Sequence, residues 1–217
     1  INITWSNICE IMQLKNLEEI EYYLNLSNEL CLTARELRVR IKSNEYNRLP
    51  VEIKEKLKSN EVVSTSEKIP SPVVLQNLKV DGKLTEKIVQ SWIDENPASF
   101  CEALGEGYAY VKSQYKIKIG SNYNYIDVLL FNTIDLNYVV VEIKVTELKK
   151  EHIGQIETYM NYVDINLKKD FHNKTTGILL VRENNKWLIK YINNDGIKIR
   201  KYITSDERVG ECLGGLR

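Results

Sequence analysis

The segment Tyr138–Val145 reads YVVVEIKV, an apolar strand pattern with one acid and one base set inside it. Alternate residues of a strand share a face. Val139, Val141, Ile143 and Val145 therefore form one wholly apolar face, and Val140, Glu142 and Lys144 the other. A run this apolar belongs in a strand covered on both sides. Charges there cost free energy unless they are paired or bind a metal. Taken alone, Glu142 and Lys144 also read as an ion pair on an exposed edge. The preceding strand pattern shifts the balance. In YIDVLLF, Ile126, Val128 and Leu130 are expected on one face, with Tyr125, Asp127, Leu129 and Phe131 on the other. Asp127 is the sole acid between Tyr108 and Phe131, and Asp is a poor strand residue. If the two strands are neighbours, Asp127 and Glu142 converge. Two hard oxygen donors suit Mg²⁺ or Mn²⁺. Lys144 lies on the same side, placed to orient or deprotonate an attacking water or to stabilise charge on a phosphorane.

The rest of the chain reads as two modules. Residues 3–47 carry apolar residues at three- and four-residue steps (Ile8, Ile11, Met12, Leu14, Ile20, Tyr23, Leu24, Leu37, Ile41), a helical period. Thr33-Ala-Arg-Glu36 has the form of a capping box opening a third helix. Arg35, Arg38 and Lys42 follow on one stripe, with Arg40 and Arg48 nearby. This allows a small all-α, helix-turn-helix-like module over 1–58, with a solvated basic helix face as the plainer reading. Residues 59–83 hold Pro70 and Pro72 among Ser, Asn and Gly, and read as a linker. Its apolar patch Val73, Val74, Leu75 and Leu78 is suited to docking on one module. Over 84–217 the expected order is a helix interrupted at Pro97, strands Tyr108–Ile119, Tyr123–Phe131 and Tyr138–Val145, a helix Glu147–Lys168, then strands Gly177–Val181, Trp187–Ile192 and Ile197–Ile203. Asn194-Asp195-Gly196 is a turn signal.

Composition excludes several classes. The 217 residues carry 30 Lys+Arg against 30 Asp+Glu, with 43% hydrophobic residues. That is ordinary globular usage rather than disorder. Zero net charge predicts no general pull on polyanions, so any nucleic-acid contact must come from local patches. Lys112, Lys116, Lys118, Lys149, Lys150, Lys168 and Lys169 supply candidates beside the acidic site. No apolar run reaches the ~18 residues of a membrane span. Cys9, Cys31, Cys101 and Cys212 are widely spaced, which suits reduced, packed thiols in a cytoplasmic protein rather than a disulfide framework. The opening INITWSNICE lacks both a signal-peptide layout and an initiator Met, so a trimmed start is expected.

Asp127, then Glu142-Ile143-Lys144, then Gln155, on an αβββαβ order, resembles the PD-(D/E)XK nuclease superfamily. More narrowly, the chain is similar to the YhcG-like proteins. Their nuclease domain is echoed in LGEGYAYVKSQYKI, YIDVLLFN, VVVEIKV, LKKEHIGQIETYMNYVD and TGILLV. Their helical module and linker are echoed in ITWSNI, LTARELRVRIKSNEYNRLP and PSPVVLQNL. The resemblance implies an α+β, restriction-endonuclease-like core with a mixed sheet flanked by helices over 84–217. It implies Mg²⁺- or Mn²⁺-dependent cleavage of phosphodiesters, in DNA first, with RNA left open. Asp127, Glu142 and the Ile143 carbonyl would be metal ligands, Lys144 the catalytic lysine and Gln155 an accessory polar residue. The family's acid before the Leu-Gly pair is replaced here by Ala103, so Glu102 or Glu106 would have to serve. Arg35, Arg38, Lys42, Lys112, Lys116, Lys149 and Lys150 would contact nucleic acid, and the N-terminal module would bind DNA or assemble with a second copy or a protein partner. The alternative is a binding module on a nuclease scaffold without turnover.

Overall fold

A computed structural model describes residues 2–59, 61, 63–80, 82–183 and 194–204. The chain divides into two compact units, Ile1–Val63 and Ser64–Arg217.

The first unit is helical: α1 (Trp5–Ile11), α2 (Leu17–Leu30), α3 (Ala34–Lys42), α4 (Glu45–Arg48) and α5 (Val51–Lys58). Short polar side chains start the first three helices. Thr4 accepts from Asn7 N–H and Asn16 from Glu18 N–H, and Thr33 with Glu36 completes the expected capping box. Ile11, Tyr23, Leu26, Leu37, Tyr46 and Leu49 form the core. Buried Asn7 fixes the register of this packing, since its Nδ2 donates to Ser27 Oγ and to the Leu32 carbonyl, both at 2.7 Å. Cys9 and Cys31 are exposed free thiols here, and only Cys101 is buried, so the packed-thiol expectation fails for two of the three described cysteines.

The second unit is built on a sheet of β1 (Val73–Leu75), β2 (Tyr108–Ile119), β3 (Asn122–Asn132), β4 (Asn137–Glu147), β5 (Thr176–Glu183) and β6 (Ile197–Thr204), in spatial order β1-β6-β5-β4-β3-β2. β2, β3 and β4 form an antiparallel meander, while β4, β5, β6 and β1 pair in parallel. The parallel step from β4 to β5 requires a crossover, which α8 (Lys150–Asn166) supplies. On one face, α6 (Glu86–Glu95) and α7 (Pro97–Leu104) bury Val89, Trp92, Ile93, Phe100 and Leu104 against Val128, Val139, Val141 and Ile143. On the other, α8 lays Ile156, Tyr159, Met160 and Val163 on Leu129, Val140, Leu179 and Val181. The fold is α+β with a mixed sheet between helices. Pro97 divides the first helical stretch in two and sits in the first turn of α7, where its missing amide costs nothing.

Three details depart from expectation. Residues 64–80, read as linker, belong to the second unit, where the apolar patch docks as expected: Ile69, Val73, Leu75 and Leu78 are in its core, and Val73–Leu75 goes further by pairing as a strand with Tyr202–Thr204. The helix after β4 starts at Lys150, because Leu148 still donates its amide to the Glu183 carbonyl and prolongs the sheet contact. Ile126 packs on the α8 face with Leu129, while Val128 and Leu130 face α6 and α7, so the alternation expected of β3 breaks at Asp127. The expected strand Trp187–Ile192 and Cys212 lie outside the described residues. The Asn194–Gly196 turn forms, with Asn194 Oδ1 accepting from Gly196 N–H at 3.0 Å.

The crossover helix packs closely at Gly177, where an added Cβ would lie 2.7 Å from Met160 Sδ and 2.9 Å from Ile156 Cδ1. Gly177→Val is expected to force α8 off β5 and to lower stability by about 1–3 kcal/mol. Chemical denaturation checks this; a midpoint equal to that of the parent chain would refute the packing argument.

Candidate active site

The site lies where the β3–β4 ladder ends. Pairing runs from Asn132–Asn137 to Val128–Val141. One step further the same register would set Asp127 opposite Glu142, but the ladder stops there. The Asp127 carboxylate takes over the open donor on β4: Oδ2 accepts from Ile143 N–H at 3.0 Å. The β2 side shows the matching disturbance. Ser113 pairs with Val128 and Tyr115 with Ile126, while Gln114 between them has φ 45°, in the left-handed region that non-glycine residues rarely adopt. Gln114 Nε2 then donates to Asp127 Oδ1 at 3.2 Å. Asp127 is thus clamped by a backbone amide on one side and a side-chain amide on the other.

Glu142 is 1% exposed. Its Oε2 accepts from Lys144 Nζ at 3.2 Å, and its Oε1 is buried with no hydrogen-bond partner. An acceptor in that state is costly unless something else satisfies it. Burial, and then the negative charge of Asp127, push the Glu142 carboxyl up to about 8, against the pull of Lys144. Burial works against the Lys144 ammonium, but the carboxylates of Glu142, Asp127 and Glu86 outweigh it and raise its pKa. Two repelling carboxylates, one with an orphaned oxygen, are a donor set that a hard divalent cation would satisfy. The chemistry of the residues present therefore fits Mg²⁺ or Mn²⁺.

The other expected site residues fall in three groups. Asp127, Glu142, Ile143 and Lys144 are brought together. Gln155 lies on α8, where its Nε2 donates to the Tyr159 hydroxyl at 3.1 Å; among the described residues it makes no hydrogen bond to Asp127, Glu142 or Lys144. Neither substitute acid is placed to help. Glu102 is exposed on α7. The Glu106 carbonyl accepts from Asn132 Nδ2, five residues along β3 from Asp127, roughly 17 Å at strand rise. The one-residue displacement of Glu102 and the wrong end of β3 for Glu106 account for both failures.

Glu86 is the acid that residue-by-residue reading missed. It opens α6 behind the Thr85 cap, and its charge acts on both Lys144 and His152. Gln90, one turn on, accepts from Gln114 Nε2 at 3.3 Å, so α6 supports the Asp127 clamp. The available signal was that Glu86 and Gln90 sit at i, i+4, off the Val89, Trp92, Ile93 stripe. An acid in a first turn is ordinarily read as a dipole partner only. His152 accepts from Lys149 N–H through Nδ1 at 3.1 Å. Burial and the Lys144 charge hold its pKa below 6.5, so the neutral tautomer inferred from this bond carries its proton on Nε2.

Among the basic residues, Lys112 and Lys116 are exposed on β2, and Lys149 and Lys150 are exposed at the start of α8. In the helical unit Arg35, Arg38 and Lys42 are exposed, but Arg38 is bound in a fork to Glu10, with Nε and Nη2 at 3.0 and 2.5 Å from its two oxygens. Among the described residues no helix is long and apolar enough to cross a membrane.

Residues 66–208 match the family model described as the YhcG PDDEXK nuclease domain. The chain belongs to that family. A curated relative, "Putative nuclease YhcG" of Escherichia coli (strain K12), is 25% identical over 115 residues, covering 53% of this chain and 31% of that protein. The chain thus accounts for less than a third of that relative's length. Solved structures similar to it include a repair endonuclease from Pyrococcus abyssi (21% identity, 57% of this chain and 49% of that one, TM-score 0.41) and EndoMS in an EndoMS–dsDNA2 complex (21%, 57% and 48%, 0.41).

The raised Glu142 carboxyl sets a pH signature for this PDDEXK domain. A group whose folded pKa lies above its unfolded value costs no stability below the unfolded value. Its penalty grows as pH rises from 4.5 towards about 8. In EDTA, Glu142→Gln is expected to raise the stability at pH 8 by an amount on the order of a few kcal/mol, seen as a higher melting temperature, with little effect at pH 4.5. Calorimetry across that window checks it; parallel curves for the two proteins would refute the buried, repelled carboxylate.

Proposed function

We propose that this chain is a divalent-metal-dependent nuclease that hydrolyses phosphodiester bonds in DNA. The observation carrying this reading is the convergence of Asp127, Glu142 and Lys144 at the end of the β3–β4 ladder, with Glu142 Oε1 buried and unpartnered. Asp127, Glu142 and the Ile143 carbonyl would hold Mg²⁺ or Mn²⁺, with Glu86 near enough to add to the negative field. Such an ion supplies Lewis-acid stabilisation of charge on the phosphate and activates water. The chain's own residues do the rest. The two hydrogen bonds of the Asp127 clamp orient one carboxylate, which favours a preorganised donor set. Lys144 presents an ammonium, 14% exposed at its side chain, where negative charge builds on a phosphate oxygen. Burial and the Lys144 charge lower the pKa of His152 and so disfavour a competing positive charge there.

A second reading has one observation in its favour. Among the described residues, no three His, Cys, Asp or Glu side chains form a group able to hold a metal. A scaffold that binds nucleic acid or protein without turnover would need none.

Asp127→Ala and Lys144→Ala are each expected to reduce Mn²⁺-dependent nicking of plasmid DNA by 100-fold or more, on the order expected when a preorganised charged group is removed from such a site. The circular dichroism spectrum should be unchanged. Full activity in either variant would overturn the assignment. Isothermal titration with Mn²⁺ separates the two readings: heat of binding in the parent chain, lost in Asp127→Ala, supports the nuclease, and absence of heat in the parent supports the binding scaffold.

A further inference from the structure

We propose that the exposed side of the β2–β3 hairpin is a track for an unpaired DNA strand leading to Asp127. This rests on the nuclease reading and names the form of its substrate.

β2 is the outer strand of the sheet. In its register with β3, Lys116 pairs with Tyr125 and Lys118 with Tyr123, and paired residues of an antiparallel ladder point the same way. Their opposite side is spoken for: Tyr115, Ile117, Ile119 and Ile126 pack with α8. The Lys–Tyr side is open. Tyr123 is 58% and Tyr125 47% exposed, and Lys116 and Lys118 are exposed. Lys116 Nζ stands 3.9 Å from the Tyr123 ring centroid, which ties ammonium and ring into one unit.

Charge and spacing choose the occupant. The hairpin from Tyr108 to Phe131 carries Lys112, Lys116 and Lys118 against the single acid Asp127, within a chain of zero net charge. Lysines alone would be explained as protection of a sheet edge. Two large exposed aromatic rings work against that purpose and need another. Tyr123 and Tyr125 are two residues apart on one strand, roughly 7 Å, about twice the separation of stacked bases in a duplex. Rings so spaced match successive bases of an extended strand, and only unpaired bases offer them a free face. Tyr125 is in turn two residues, again roughly 7 Å, from Asp127. The lysines across the ladder supply the phosphate contacts.

The test is binding to the full chain in EDTA, so that no cleavage occurs, by fluorescence anisotropy with labelled oligo(dT) and with a duplex of the same length. Tyr123→Ala/Tyr125→Ala should weaken oligo(dT) binding by about tenfold or more and leave the duplex affinity within twofold. Tyr123→Phe/Tyr125→Phe should retain binding, since stacking needs the ring and not the hydroxyl. Lys116→Ala/Lys118→Ala should flatten the salt dependence on oligo(dT) by about 1.4 in the log–log slope. Unchanged oligo(dT) affinity in the alanine pair, or an equal loss on both ligands, would overturn the proposal. Because the readout needs neither metal nor turnover, it fails independently of the nuclease reading, which the Asp127 and Lys144 variants judge. Mn²⁺ binding in the tyrosine variants should equal that of the parent chain.

Discussion

The hydrogen bond from Ile143 N–H to Asp127 governs the architecture of the site. It stands where a ladder bond between β3 and β4 would otherwise be. By accepting that amide, a carboxylate ends the strand pairing without leaving a buried donor unpaired. The strands are freed to part at the position where the register would have set Asp127 against Glu142. The opening needs a second support on the other side of β3. Gln114 provides it from a left-handed backbone, at a conformational cost of about 1–2 kcal/mol. Strain of this kind persists only where surrounding structure holds it, and here α6 does so through Gln90.

Much of this arrangement was legible in the order of residues, for a physical reason. Strand alternation is a strict period of two, so a charge inside an apolar strand has nowhere to hide. Glu142, Lys144 and Asp127 stood out because each breaks a pattern that packing otherwise enforces. Capping chemistry is equally local, and Thr33 with Glu36 closed the box that their spacing announced. Pro97 split the helix for the same reason: the lost amide acts on its own turn.

What escaped reading is non-local. The charge of Glu86 acts on Lys144 only because α6 packs on β4, and nothing in its own turn of helix indicates that influence. The flip that puts Ile126 on the α8 face coincides with the left-handed backbone of Gln114 on the neighbouring strand, which no pattern in β3 itself announces. Val73–Leu75 reads as linker because three residues are too few to show a period; their place as an edge strand is set by the parallel pairing with Tyr202–Thr204, far along the chain. Gln155 sits where the helix register placed it, yet its amide is taken by Tyr159, a neighbour on the same helix face.

Charge balance joins these pieces. The negative charges of Glu142, Asp127 and, from the exposed start of α6, Glu86 all act on a single ammonium, Lys144, while burial and the Lys144 charge lower the pKa of His152. With all three acids ionised the group carries two more negative charges than positive ones. Without a cation, the Glu142 carboxyl relieves part of that excess by holding its proton to higher pH, since it is the most deeply buried and has an oxygen with nothing to bind. A divalent ion would cancel the whole excess, satisfy that oxygen and release the proton. A monovalent ion would leave half of it, and a further lysine would place a second ammonium against the first. On the proposed reading, the burial of Glu142 is therefore the cost of a site tuned to two positive charges on one small, hard centre.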